Sequence, residues 1–185
     1  MTRIRVAATA ADSRSNGPGE RFVVWFQGCG KRCDGCSNLA FQPFRGGTNR
    51  LIAELAAEIL ALKDEIDGVT FSGGEPFDQP DALFELIHRI RAGSELTVFI
   101  FSGYSFDELE RDYRLKNPPD RPDAILCGAY RKDVPPNYEA FLPSANQELH
   151  FLTKRLNPDD FRDLPLFETL LLSDGRVIRS GILRI

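Results

Sequence analysis

Five short apolar runs punctuate the chain: "RFVVWFQ" (21–27), "GVTFSG" (68–73), "LTVFIFSG" (96–103), "DAILCG" (123–128) and "ELHFLT" (148–153). They are rich in β-branched and aromatic residues and mostly bounded by Gly or polar residues, so they predict buried strands. Between them the apolar positions change to helical spacing. Leu51, Ile52, Leu55, Ile59 and Leu60 share one face behind Thr48 and Asn49, which suit helix caps. Pro80 suits the first turn of a second helix, with Leu83, Leu86, Ile87 and Ile90 as its stripe and Gly93 at its end. Ser105 and Glu108 have capping-box spacing for a third. The tail "FETLLLSDGRVIRSGILRI" predicts a hairpin over about 167–183, turning at Asp174-Gly175.

Alternating strands and helices predict βα units and a mostly parallel sheet. The 185 residues fall short of the roughly 250 usual for a closed eight-stranded barrel. The expected fold is therefore α/β, a partial, open β/α barrel, as a single domain over residues 1–185. The proline-rich stretches 116–123 and 133–137 read as loops, because strand-like sequence resumes after each. In such sheets chemistry gathers at the carboxyl ends of the strands. Three cysteines follow "FVVWFQ" there, "SGGEP" follows "GVTF" and "SGY" follows "VFIF".

Composition narrows the class. With 42% hydrophobic and 27% charged residues the chain is ordinarily globular. The N-terminus has no apolar signal core, and no run approaches the length of a membrane span, so a soluble cytoplasmic protein without a membrane partner is expected. The net charge of −4, with basic residues interleaved among acidic ones, argues against nucleic acid as the main partner. Clustered cysteines in such a chain point to metal binding or catalysis before disulfides.

The loop over residues 28–38 carries that cluster. Cys29, Cys33 and Cys36 have the spacing Cys-x3-Cys-x2-Cys. Three is odd for a disulfide framework and one short of a closed zinc site, whose fourth ligand would have to come from the remote His88, His150 or Cys127. An iron–sulfur cubane on three thiolates leaves one iron open to another ligand. Gly28, Gly30 and Gly35 allow the loop to wrap a bulky group. Spacing alone leaves a cluster, zinc and incidental cysteines all open. "FSGGEP" (71–76) adds two glycines and Glu75 at a strand end, where backbone and carboxylate can hold an ammonium group, although a Gly-Gly pair alone is commonly only a turn.

Taken together, the two motifs resemble the radical S-adenosylmethionine superfamily, whose members carry Cys-x3-Cys-x2-Cys after the first barrel strand and Gly-Gly-Glu-Pro after the second. Residues 15–38, 68–80, 99–109 and, more weakly, 123–152 are similar to the small activating enzymes of glycyl-radical proteins. The anaerobic ribonucleotide reductase activases come first among these, and the pyruvate formate-lyase activases second. The resemblance implies that Cys29, Cys33 and Cys36 ligate three irons of a [4Fe-4S] cluster and that S-adenosylmethionine chelates the fourth. It implies that Gly73, Gly74 and Glu75 hold the methionine ammonium and that Ser102 contacts the carboxylate or ribose. Backbone near Gly35, Gly128 and Asn146 is then expected at the adenosine. The implied reaction is reductive cleavage of the cofactor to a 5′-deoxyadenosyl radical that abstracts hydrogen. The implied partners are a glycyl-radical enzyme as protein substrate and a low-potential donor such as flavodoxin or ferredoxin.

Two alternatives stand beside this. A radical enzyme with the same core can modify a peptide or small molecule, its specificity set by loops 44–49 and 130–137. A non-enzymatic zinc or iron–sulfur module would leave "SGGEP" a coincidence. Two departures from the family pattern are visible. Many members have an aromatic residue where this chain has Gly35, and that small residue is similar to the ribonucleotide reductase activase pattern; Asn16 replaces the aspartate of Asp-Gly-Pro-Gly, a lost carboxylate expected either to weaken partner docking or to change the loop's charge. Cys127 reads as a buried structural thiol and His88 as a surface histidine. His150 is expected to face either solvent or the barrel interior, and Tyr104 and Arg131 suit either the barrel mouth or ordinary packing.

Overall fold

The computed structural model describes residues 2–113, 115, 120–172 and 174–182. Seven strands, β1 (Arg3–Ser13), β2 (Arg21–Phe26), β3 (Thr48–Leu51), β4 (Gly68–Gly73), β5 (Thr97–Phe101), β6 (Ala124–Cys127) and β7 (Glu148–Phe151), form one sheet in the order β3-β1-β2-β4-β5-β6-β7. The four central strands β2, β4, β5 and β6 are parallel, and β1, β3 and β7 join antiparallel. This follows from the connections. Helices α1 (Ile52–Ala61), α2 (Pro80–Gly93) and α3 (Phe106–Tyr113) provide the crossovers that parallel neighbours need, whereas β1 to β2 and β6 to β7 are joined without one. The sheet ends on β3 and β7, so it is not a closed barrel.

All five apolar runs are strands, β4 with the predicted bounds. Pro80 opens α2 and Gly93 closes it. Ser105 and Glu108 form the expected box, with the Ser105 N–H donating to Glu108 Oε2 (2.7 Å) and the Glu108 N–H to Ser105 Oγ (3.3 Å). Thr48 and Asn49 are not caps. They belong to β3, opposite Val6 and Arg5 of β1, and α1 begins after Leu51 with no side-chain cap. Pairing with the exposed edge of β1 satisfies their backbone groups instead.

Alternation along the strands sorts the core onto two faces. Phe22, Val24, Phe26, Val69, Phe71, Val98, Ile100, Ile125 and Cys127 point to the helices and pack with Ile59, Leu83, Leu86 and Ile87. Fully burying each such side chain contributes about 1.5–3 kcal/mol. The opposite face presents Val23, Trp25, Phe99, Ala124 and Leu126. Part of it is covered by an antiparallel hairpin, β8 (Phe167–Leu171) and β9 (Val177–Gly181), whose Leu170 and Ile178 pack with Trp25 and with Ala7, Ala8 and Ala10 of β1. Asp174 and Gly175 form its turn, where Gly175 has φ +82°. Residues 116–119 of the proline-rich loop and 173 and 183 of the expected hairpin lie outside the described residues. Among the described residues no helix is long and apolar enough to cross a membrane.

The segment 14–20 turns across the far end of the parallel strands, held by a fully buried arginine. Arg21 donates to Thr70 Oγ1 (2.6 Å), to the carbonyls of Pro18 (2.8 Å), Val69 (2.8 Å) and Thr97 (3.1 Å), and to Thr97 Oγ1 (3.1 Å). Burial lowers its pKa to about 10, partly offset by Asp123 and Asp67.

Candidate metal-cluster site

The carboxyl ends of β2, β4, β5 and β6 open into a cavity of about 570 Å³ on the face away from the helices. The chain turns sharply where β4 ends. Gly73 has φ +96°, and a Cβ there would lie 2.5 Å from the Phe26 nitrogen. A Cβ on Gly74 would lie 2.1 Å from the Gly28 carbonyl oxygen, so only glycine lets the "SGGEP" turn meet the cysteine loop. The two segments are then bonded, the N–H of Gly74 to the Phe26 carbonyl and that of Glu75 to the Gly28 carbonyl, each at 2.8 Å.

Cys29, Cys33 and Cys36 all line the cavity. Burial pushes the Cys29 and Cys33 thiols up, while N–H groups pull the other way, from Arg32 and Lys31 toward Cys29 and from Tyr130 toward Cys33. The Asn38 N–H donates to Cys36 Sγ (3.4 Å). Converging thiols with backbone N–H groups aimed at sulfur suit a cationic metal centre, which offsets the cost of ionising them. Among the described residues no three or more His, Cys, Asp and Glu side chains close around a single metal ion. The three remote candidates for a fourth zinc ligand do not line the cavity. Cys127 is buried on the helix face, its thiol pushed up by burial. His88 is exposed on α2 with Nδ1 3.1 Å from Asp120. His150 lies opposite Ile125, a helix-face residue, and stacks on Phe106 at 4.0 Å, so it turns away from the cavity.

Glu75 is 1% exposed. It accepts from the Phe77 N–H (3.0 Å) and Ser102 Oγ (3.0 Å) on one oxygen and from the Gly103 N–H (2.7 Å) on the other. Burial still dominates and raises its pKa to about 7, with Asp78 adding to the rise. Ser102 therefore acts on the carboxylate while sharing the cavity wall with it. Gly35, Gly73, Gly74 and Gly128 also line the cavity, whereas Asn146 does not: its side chain donates to the Ala129 carbonyl (2.9 Å). Its neighbour Gln147 takes the wall position, donating to the Gly128 carbonyl (2.8 Å) and leaving Oε1 buried without a hydrogen-bond partner. Tyr104 donates to Asp78 Oδ1 (2.8 Å) beneath Lys31, 3.7 Å above its ring, and Arg131 pairs with Asp133.

The sequence reading missed several wall residues. Trp25 was legible in principle, because it alternates with Val24 and Phe26 and lies in register with Ser72, which precedes the glycine pair. Asn16 and the hairpin residues Phe167, Arg179 and Ser180 line the cavity from far along the chain, and only the tertiary fold brings them there.

Three thiols lining one cavity over the parallel strand ends of an open α/β sheet are an arrangement that suits a metal-cluster protein. Residues 15–150 match the model of the 4Fe-4S single cluster domain family. The chain is similar to the anaerobic ribonucleoside-triphosphate reductase-activating protein of Enterobacteria phage T4, 31% identical over 126 residues, covering 65% of this chain and 77% of that one. It is similar to the corresponding Vibrio cholerae protein, 29% identical with 75% and 92% covered. The pyruvate formate-lyase-activating enzyme of Clostridium pasteurianum is 37% identical over 99 residues, 51% of this chain, and the match spans only 42% of that enzyme. The chain belongs to this 4Fe-4S single-cluster family, in its radical S-adenosylmethionine activase branch, with a [4Fe-4S] cluster and S-adenosylmethionine as cofactors.

Proposed function

We propose that residues 1–185 form a single radical S-adenosylmethionine domain, a partial barrel, that generates a glycyl radical on a partner enzyme such as anaerobic ribonucleotide reductase. The observation that carries this reading is the meeting of the cysteine loop and the "SGGEP" turn in one cavity. The names of the relatives, activating proteins of that reductase and of pyruvate formate-lyase, support the same partner class.

Cys29, Cys33 and Cys36 would hold a [4Fe-4S] cluster through their three thiolates, the described residues offering no fourth thiolate in the cavity. When bound, the cluster and cofactor would supply a one-electron reductive cleavage of the sulfonium carbon–sulfur bond, with methionine as the leaving group, and with it the capacity to abstract hydrogen from a substrate. The protein's own part is binding, orientation and exclusion of water. Gly73, Gly74 and Glu75 receive the methionine ammonium at the turn that glycine alone permits. Ser102 and the Gly103 N–H fix the Glu75 carboxylate toward that role. Gly35, Gly128 and Gln147 wall the adenosine end, with Asn146 behind the wall holding the Ala129 carbonyl. Trp25 and the hairpin residues Phe167 and Ser180 complete the cavity wall. A low-potential flavodoxin or ferredoxin supplies the electron.

The test is anaerobic reconstitution followed by incubation with a candidate glycyl-radical enzyme, reductant and S-adenosylmethionine. A doublet radical signal on the partner is expected. Cofactor cleavage with no partner radical would instead favour a peptide or small-molecule substrate.

A further inference from the structure

The cysteine loop is tied from behind the cavity wall by a carboxylate just beyond "SGGEP". Asp78 does not line the cavity; it ends the short turn Pro76–Asp78 that follows Glu75, and its N–H donates to the Glu75 carbonyl (3.1 Å). Gln79 anchors that turn to β1 and to the end of β2. Its side chain accepts from the Arg5 N–H (2.8 Å) and donates to the carbonyls of Arg5 (3.0 Å) and Gln27 (3.3 Å). From this base the two Asp78 oxygens reach two other segments. Oδ2 accepts from the Gly30 N–H (2.7 Å) inside the cysteine loop, and Oδ1 accepts from the Tyr104 hydroxyl (2.8 Å) ahead of α3.

The residues after Gly30 give this tie its consequence. The N–H groups of Lys31 and Arg32 are the ones aimed at the Cys29 sulfur. The segment turns left-handed at Arg32, φ +50°, a conformation that a residue with a side chain keeps only where its surroundings hold it. Successive N–H groups turned to one side make an anion-binding concavity, here against a thiolate. The same segment is held again at Lys31. Its Nζ lies 3.7 Å over the Tyr104 ring and 3.2 Å from Glu108, whose Oε2 accepts from the Ser105 N–H (2.7 Å). Asp78 therefore holds the donor segment at Gly30 directly, and at Lys31 through Tyr104.

We propose that Asp78 is a positioning residue for the cluster: by fixing the Gly30 peptide it keeps the Lys31 and Arg32 N–H groups on the Cys29 sulfur, and so sets the reduction potential higher than an untied loop would. This rests on the proposed ligation of the cluster by Cys29. Reduction adds one electron and breaks no bond, and the added negative charge is shared by the thiolate sulfurs. An N–H donor on such a sulfur stabilises the reduced form more than the oxidised one. The Asp78 charge acts in the opposite sense, since a nearby anion disfavours the added electron just as it disfavours a Cys29 thiolate. Substitution separates the two effects. Asparagine removes the charge but keeps an oxygen for the Gly30 N–H and an amide N–H for the Tyr104 oxygen, whereas alanine removes charge and acceptor together.

The test uses cluster-reconstituted protein without S-adenosylmethionine and reads the midpoint potential in a dye-mediated dithionite titration followed by electron paramagnetic resonance. Asp78→Asn should raise the midpoint above wild type. Asp78→Ala should lie below Asp78→Asn by about a tenfold shift in the reduction equilibrium, the scale of one hydrogen bond to a charged group. A second measurement does not depend on cluster uptake: before reconstitution, hydrogen-exchange protection of the Gly30, Lys31 and Arg32 N–H groups should persist in Asp78→Asn and fall in Asp78→Ala. Unchanged protection in Asp78→Ala overturns the proposal, and so does a midpoint in Asp78→Ala equal to or above that of Asp78→Asn. A cluster that still assembles in Cys29→Ala would instead overturn the proposed ligand set.

Discussion

Cys29, Cys33, Cys36 and Cys127 differ in surroundings more than in chemistry. The first three line the cavity and receive N–H groups, whereas Cys127 is sealed among apolar side chains of the helix face. Replacing any of the three by Ala should abolish cluster assembly, read as iron and sulfide content after reconstitution. Cys127→Ala should leave cluster content intact and cost about 1 kcal/mol of stability in denaturant unfolding. Cluster loss in Cys127→Ala would assign it a ligand role. Glu75 gives a pH signature. An unfolded glutamate ionises near 4.5 and Glu75 near 7, so the native state holds the extra proton between those values. Stability contributed there is present at the acid side and falls as pH rises through that window. An ammonium ligand prefers the ionised carboxylate, so S-adenosylmethionine affinity should rise through pH near 7, and Glu75→Gln should flatten that rise in equilibrium dialysis. The spacing of cysteines and glycines made these positions legible in the sequence. The hydrogen bonds that bind Glu75 to Ser102 and Gly103 were not, because they join two different strand ends.

Elements with their own local pattern were easiest to read. β2, β4, β5 and β6 are buried on both faces and appear as short apolar runs. β1 was missed because its alanine-rich sequence lacks the aromatic and β-branched density of the others. β3 was missed because "TNRL" is polar and exists only by pairing with β1. The α3 box is local, and Ser105→Ala should lower stability by about 1 kcal/mol in thermal unfolding. The hairpin was legible as a hairpin but not as a cavity wall, since its docking depends on Glu168 meeting Ser13, Ser15 and Asn16 more than 150 residues away. This gives the unusual Asn16 a structural reason. An aspartate there would set a carboxylate against Glu168, so Asn16→Asp should weaken the latch by about 1–3 kcal/mol, read as lost hydrogen-exchange protection in β9. Unchanged protection would remove that explanation.

At the scale of the molecule, helices cover one face of the sheet and the hairpin covers part of the other, so the thiols and the "SGGEP" turn line one cavity, and that shared cavity is their enclosure. The α/β class and the crowding of chemistry at strand ends followed from the order of elements. The open sheet agrees with the expected open rather than closed arrangement, whereas the antiparallel flanks β1, β3 and β7 did not follow, because they depend on which connections lack a helix. The central claim is that this enclosure joins a three-thiolate cluster to S-adenosylmethionine. Its most direct test is to reconstitute the protein anaerobically with iron and sulfide, add S-adenosylmethionine with and without dithionite, and quantify 5′-deoxyadenosine. The account predicts a [4Fe-4S] chromophore and 5′-deoxyadenosine formed only with reductant, both lost in Cys36→Ala. A protein that takes up zinc alone, or a cluster-bearing protein that releases no 5′-deoxyadenosine under reduction, would contradict it.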